Sequence, residues 1–120
     1  VMGEIVDPDY LACTKEIAVF HHERWDGAGY PIGLTGEEIP LCARIMAIAD
    51  VYDALTANRV YKKALSPDKA IAIIESDAGT HFDPELAGLF VNMKNEVILA
   101  ETLPLFNSNL GYGYNFKVAS

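Results

Sequence analysis

Three short stretches hold the residue types best suited to chemistry. In the first, His21 and His22 stand just before the helix-hostile run Asp26-Gly27-Ala28-Gly29-Tyr30-Pro31, and they are two of only three histidines in the chain. Imidazole nitrogens bind metals and carry protons near neutral pH. Neighbouring residues on a helix point about 100° apart, so this pair does not easily grip one ion from one face. It can ligate two ions of a polynuclear site, or act as one ligand and one hydrogen-bonded support. The pair also reads as one exposed histidine beside a hydrogen-bonded core histidine.

The second stretch is Ile48-Ala49-Asp50-Val51-Tyr52-Asp53-Ala54-Leu55. Asp50 and Asp53 are three residues apart and share one side of a helix. Two carboxylates so close repel in isolation and are stabilised beside a cation. Ala47, Ala49, Ala54 and Ala57 leave room around them for a ligand or another helix; a solvated acidic face is the other reading. The third stretch is Arg59-Val60-Tyr61-Lys62-Lys63, with three of the nine lysines and arginines. Such a group can hold phosphate oxygens, or can simply suit the negative end of the preceding helix. The glycines of the 26–31 loop let backbone approach a ligand, and Tyr30 offers a ring for base stacking. His81 sits at a helix start and is expected to cap or pack rather than to ligate. Glu23, Arg24 and Trp25 are expected to include structural members.

The elements that must position these residues are helical. Asp7-Pro8-Asp9 supplies the residue types of a helix start, and a helix can run from Pro8 to His22 or Glu23. Residues 26–39, with four glycines and one proline, form a loop. The clearest helix runs from Pro40 to Ala57, where Leu41, Ile45, Ile48, Tyr52 and Leu55 make one core-facing stripe. Ser66-Pro67-Asp68 starts a third helix, which stops near Gly79. Asp83-Pro84-Glu85 starts a fourth, with Leu86, Leu89, Phe90, Met93 and Val97 on one face, ending before Pro104. From Leu110 to Val118 apolar residues alternate with others, a strand-like pattern without a partner strand.

Composition excludes several classes. At 120 residues the chain is one domain at most, and 51% hydrophobic residues allow a real core. No apolar run approaches the ~18 residues needed to span a membrane. A net charge of −8 argues against coating a nucleic-acid polymer, although local cations or metals still permit a phosphorylated small molecule. Cys13 and Cys42 lie in apolar helical patterns and are expected to be reduced core thiols in a reducing compartment.

Taken together, HHERWDGAGYPIGLTGEEIP, ARIMAIADVYDALTANRVYKKALS and DAGTHFDPELAGLF closely resemble the HD-GYP family of bacterial phosphohydrolases over roughly residues 9–95. The resemblance implies an all-α helical bundle of the HD/HD-GYP type. It implies two or three divalent metal ions, usually iron or manganese, and hydrolysis of cyclic di-GMP to the linear dinucleotide or GMP in the bacterial cytoplasm. By position, His21, His22 and Asp50 look like metal ligands. Gly29 and Tyr30 look like substrate contacts, and Asp53 like a residue at the substrate edge. Arg59 and Lys62 look like the phosphate grip, with Asp53 and Lys62 expected in catalysis. The family's His-Asp pair and further ligands lie upstream of the HHE segment, and no His-Asp dipeptide occurs here. The expectation is therefore an incomplete bundle: residues 1–100 as the C-terminal part of the domain, 101–120 as a tail outside the family pattern. An upstream HD segment and a sensor or receiver domain would be its partners. Residues 1–120 alone are expected to be inactive, with dimerisation through exposed helix faces or protein contacts through the GYP loop as further possibilities. The alternative is a non-catalytic degenerate module that binds a nucleotide or a protein.

Overall fold

The computed structural model describes residues 8–102. These form five α-helices in an all-α arrangement: α1 (Pro8–Phe20), α2 (Leu41–Thr56), α3 (Pro67–Ser76), α4 (Pro84–Asn92) and α5 (Lys94–Thr102). A single 3₁₀ turn, Gly36–Glu38, interrupts the loop between α1 and α2. Asp7 and the alternating tail lie outside the described residues. Among the described residues no helix is long and apolar enough to cross a membrane.

Local chemistry starts α3 and α4 where the sequence places them. The Ser66 hydroxyl accepts from the backbone N–H of Lys69, and Pro67 follows in the first turn, where its missing N–H costs nothing. Asp83 accepts from Glu85 N and Leu86 N at 2.9 and 3.3 Å. Its other carboxylate oxygen takes Arg44 Nη1 of α2 at 2.8 Å. One buried side chain thus caps α4 and fastens it to α2, a link between distant residues that spacing alone does not reveal.

The core sits between α2, α3, α4 and the turn before α4. It consists of Ala47, Ile48, Tyr52, Ala70, Ile71, Ile74, Phe82 and Ala87. The alanines let the helices approach closely, and Tyr52 meets Phe90 edge to face at 5.3 Å.

Four expectations need correction. Helix α1 ends at Phe20, so His21 and His22 occupy the turn after it rather than its last turn. The expected α2 stripe is buried only in its second half: Ile48 and Tyr52 are buried, whereas Leu41 and Ile45 are 52% and 51% exposed. The cause is that α3 and α4 cover the C-terminal turns of α2 through the Ile48–Tyr52 patch. The helix expected after Asp83 is two helices, because the chain caps at Met93, whose N–H reaches back to the carbonyls of Leu89, Phe90 and Val91. Its single face splits accordingly: Leu86, Phe90 and Val97 pack on the core, while Leu89 and Met93 are exposed. Finally, Cys13 and Cys42 form a disulfide and not two free thiols. Helix α1 buries none of its residues, but it lies along α2 so that the two Cα atoms are 5.8 Å apart, within bridging range. The crosslink spans 29 residues and contributes on the order of 3 kcal/mol by restricting the unfolded chain. It also ties the helix that leads to His21 to the helix that bears Asp50.

Candidate active site

The site begins where α1 stops. The His21 backbone N–H makes a last helical bond to Ile17 O (3.1 Å), and Glu23 N turns back to Phe20 O (3.0 Å). The His21 ring follows the same course: Nδ1 lies 2.7 Å from the Ile17 carbonyl. A carbonyl only accepts, so Nδ1 donates, and in the neutral ring Nε2 is the lone-pair nitrogen. Nε2 points toward α2, where Asp50 Oδ2 lies 3.9 Å away. The rings of His21 and His22 are 3.9 Å apart, and His22 stacks under Tyr30 at 4.8 Å and 18°.

The segment 23–36 folds back on itself to hold Tyr30 there. Tyr30 N donates to His22 O at 3.3 Å, across a loop whose Tyr30–Pro31 peptide is cis. Trp25 N and Asp26 N donate to His81 O and Thr80 O, which ties this loop to the turn before α4. Arg24 grips Asp26 with two hydrogen bonds of 3.2 and 3.1 Å. That ion pair raises the Arg24 pKa and lowers that of Asp26. Gly29 lies so close to the start of the loop that a Cβ there would stand 2.5 Å from both Arg24 N and His22 O, and 2.7 Å from Glu23 Cα. All three are backbone atoms, and no side-chain rotation relieves them. Gly29→Ala is accordingly expected to destabilise the protein by about 1–3 kcal/mol. Gly88→Ala, at a helical position where a Cβ meets nothing within 4 Å, should instead stabilise by about 0.5–1 kcal/mol. Thermal unfolding of the two variants beside the parent checks this contrast.

These segments enclose a cleft of about 430 Å³. His21, His22, Gly29 and Tyr30 line it from the loop side, Ala47, Asp50, Ala54 and Leu55 from α2, and Arg24 and His81 complete the wall. Burial shifts its groups toward neutrality. It raises the Asp50 pKa, an effect that His21 and His22 oppose. It lowers the His22 pKa, helped by His21 and opposed by Asp50. His81 is lowered by burial first and by Arg24 second.

The cleft thus gathers His21, His22, Asp50, Gly29 and Tyr30. It does not gather Asp53, Arg59 or Lys62. Asp53 is exposed one turn further along α2, outside the cleft lining. Arg59 and Lys62 exchange both backbone hydrogen bonds, at 2.9 and 3.1 Å, in a tight turn after α2. That turn presents Val60 and Tyr61 to solvent, 106% and 83% exposed. Two cleft residues were not singled out for chemistry by their spacing, Arg24 and His81. His81 does pack, on Phe82 at 4.2 Å, as a residue in such a turn is expected to, but it also forms part of the wall.

The donor set suits a cation in part. A desolvated carboxyl beside two imidazoles becomes readily ionised when a divalent ion is present. His21 Nε2, oriented by the Ile17 carbonyl, has the arrangement of a supported metal ligand. Among the described residues, however, no group of three His, Cys, Asp or Glu side chains is disposed to hold an ion. A two-metal centre needs about four to six donors for each ion, so His21, His22 and Asp50 can supply only a portion of one.

The sequence matches the HD domain family over residues 4–86. It is similar to a cyclic di-GMP phosphodiesterase of Vibrio cholerae, 55% identical over 89 residues, a stretch covering 74% of this chain and 18% of that protein. A 3′3′-cGAMP-specific phosphodiesterase of the same organism is 46% identical over 88 residues, covering 73% of this chain and 17% of that one. The chain therefore spans less than a fifth of the length of these curated relatives. The fold also resembles the crystal structure of a cyclic GMP-AMP specific phosphodiesterase of V. cholerae, with a TM-score of 0.50 and 24% identity over 88% of this chain and 27% of that one. Family match, relatives and the all-α fold agree with the paired histidines and the Gly-Tyr-Pro loop on one cleft, and the chain belongs to the HD-domain family as an HD-GYP protein.

Proposed function

We propose that this chain is part of a metal-dependent phosphodiesterase that hydrolyses cyclic di-GMP to the linear dinucleotide or GMP. The observation that carries the reading is the His21 Nε2–Asp50 Oδ2 approach of 3.9 Å, with His21 held in the ligating tautomer by Ile17 O. His21, His22 and Asp50 would hold divalent ions, iron or manganese, together with donors beyond those described. Such ions would supply Lewis acidity at phosphorus and an activated water. The chain's own residues bind and orient. Tyr30 offers its face to a guanine base, and Gly29 lets backbone approach the ligand. Arg59 and Lys62 steady phosphate oxygens where the ligand extends along α2 past Ala54 and Leu55, with Asp53 at its edge. Both relatives come from a bacterium, which supports a bacterial source; the expected cytoplasmic setting is reducing, and the Cys13–Cys42 cystine weighs against it.

A second reading, a module that binds a cyclic dinucleotide without hydrolysis, draws on the small donor set among the described residues. Chelation separates the two. In the full-length protein, EDTA should abolish cyclic di-GMP hydrolysis, and Mn²⁺ or Fe²⁺ should restore it. Binding that survives while no metal elicits turnover would favour the module. Parallel assays with 3′3′-cGAMP decide between the two dinucleotides.

A further inference from the structure

We infer that Glu23 is the positioning residue of the cleft: its carboxylate fixes the 32–34 backbone and thereby sets Tyr30 against His22. Glu23 is 2% exposed. Its Oε2 accepts from Ile32 N at 2.8 Å, and its Oε1 accepts from Gly33 N and Leu34 N, both at 2.8 Å. Gly33 N also reaches Oε2 at 3.2 Å. Three successive amides therefore converge on one carboxylate, a charge-assisted set stronger than three neutral bonds.

The position of this anchor gives it a role beyond holding a loop. Glu23 directly follows His22, and the residues it holds directly follow the Tyr30–Pro31 peptide. Tyr30 is caught between them, its N–H on His22 O and its ring stacked on the His22 ring. None of these loop residues belongs to the Ile48–Ile74–Phe82 core. Loosening at Ile32–Leu34 is thus transmitted to Tyr30 and the cleft, while the helices keep their packing. Glutamine cannot replace the carboxylate. It offers one acceptor oxygen, and its NH₂ would face a backbone N–H.

The inference rests on the functional reading above only in taking Tyr30 as a substrate contact, and the test keeps the two apart. In full-length E23Q, hydrogen exchange at Ile32–Leu34 should accelerate about tenfold or more, with α2–α4 amides unchanged. E23D, which keeps the charge on a shorter arm, should fall between E23Q and the parent, and it serves if E23Q does not fold. Cyclic di-GMP affinity, by calorimetry, should weaken by roughly tenfold in E23Q, and E23Q/Y30A should bind no worse than Y30A alone, because both lose the same contact. Unchanged loop exchange, or additive losses in the double variant, would overturn the inference. If the parent protein bound no cyclic di-GMP, the functional reading would fall, and the exchange data would still decide whether Glu23 holds the loop.

Discussion

Asp50→Ala in the full-length protein is expected to lose metal and hydrolysis together. Support residues around a metal ligand are typically worth 10–100-fold in affinity, so loss of a ligand itself should cost on the order of 100-fold or more. Asp50 is the carboxylate that α2 delivers to the His21 lone pair, and among the described residues no third His, Cys, Asp or Glu completes a group with that pair. Metal content by elemental analysis and turnover of cyclic di-GMP should therefore fall in parallel. Asp50→Asn keeps the shape and removes the charge, and it should behave likewise if the carboxylate acts as an ionic ligand. Neither change should unfold the metal-free protein, because burial already disfavours the charged form of Asp50. Asp53→Ala provides the contrast. Asp53 is exposed and outside the cleft lining, so its loss should leave metal content intact and raise KM if it meets substrate at the edge. Full metal loading and normal turnover in Asp50→Ala would remove Asp50 from the centre.

Phe82→Ala should give the largest loss of stability, about 3–5 kcal/mol. Phe82 is among the largest fully buried side chains and lies in the core with Ile48, Tyr52 and Ile74. Its backbone also fastens the turn before α4: Phe82 N donates to Asp77 O and Phe82 O accepts from Gly79 N. Removing the ring leaves a cavity between α2, α3 and α4 and takes away the surface on which His81 stacks. The expected fall in Tm exceeds about 10 °C, whereas Leu89→Ala, at an exposed site, should stay within about 0.5 kcal/mol. Urea unfolding with a circular-dichroism readout measures both. A Phe82→Ala variant as stable as Leu89→Ala would mean that the core does not close over this turn.

Much of this protein was legible in its residues because the relevant signals are local. Ser66-Pro67 and Asp83-Pro84 start helices by satisfying the first N–H groups, and they do so wherever the helices later pack. The pairing of His21-His22 with a Gly-Tyr-Pro loop and of Asp50 with an alanine-rich helix likewise needs only neighbours in sequence. Where a long-range contact decides, local pattern is not enough. The Leu41–Leu55 stripe has an unbroken helical period, but which turns of it are buried depends on where α3 and α4 land. Cys13 and Cys42 look like two ordinary core thiols until α1 lies along α2 and brings their Cα atoms within 5.8 Å.

The helical class, the starts of α3 and α4 and the candidate residues of the cleft can be read from the residues themselves, because caps, periodicity and adjacent side chains act over a few residues. Which of those residues meet depends on packing between distant parts of the chain. That packing turned the His21 lone pair toward Asp50, laid Tyr30 on His22 through the buried Glu23 carboxylate, and added Arg24 and His81 to the wall. It left Asp53, Arg59 and Lys62 outside the cleft lining. The reason is geometric: the cleft lies between α2, the 21–30 segment and the turn before α4, and how those elements meet is set by core contacts among residues far apart in the chain.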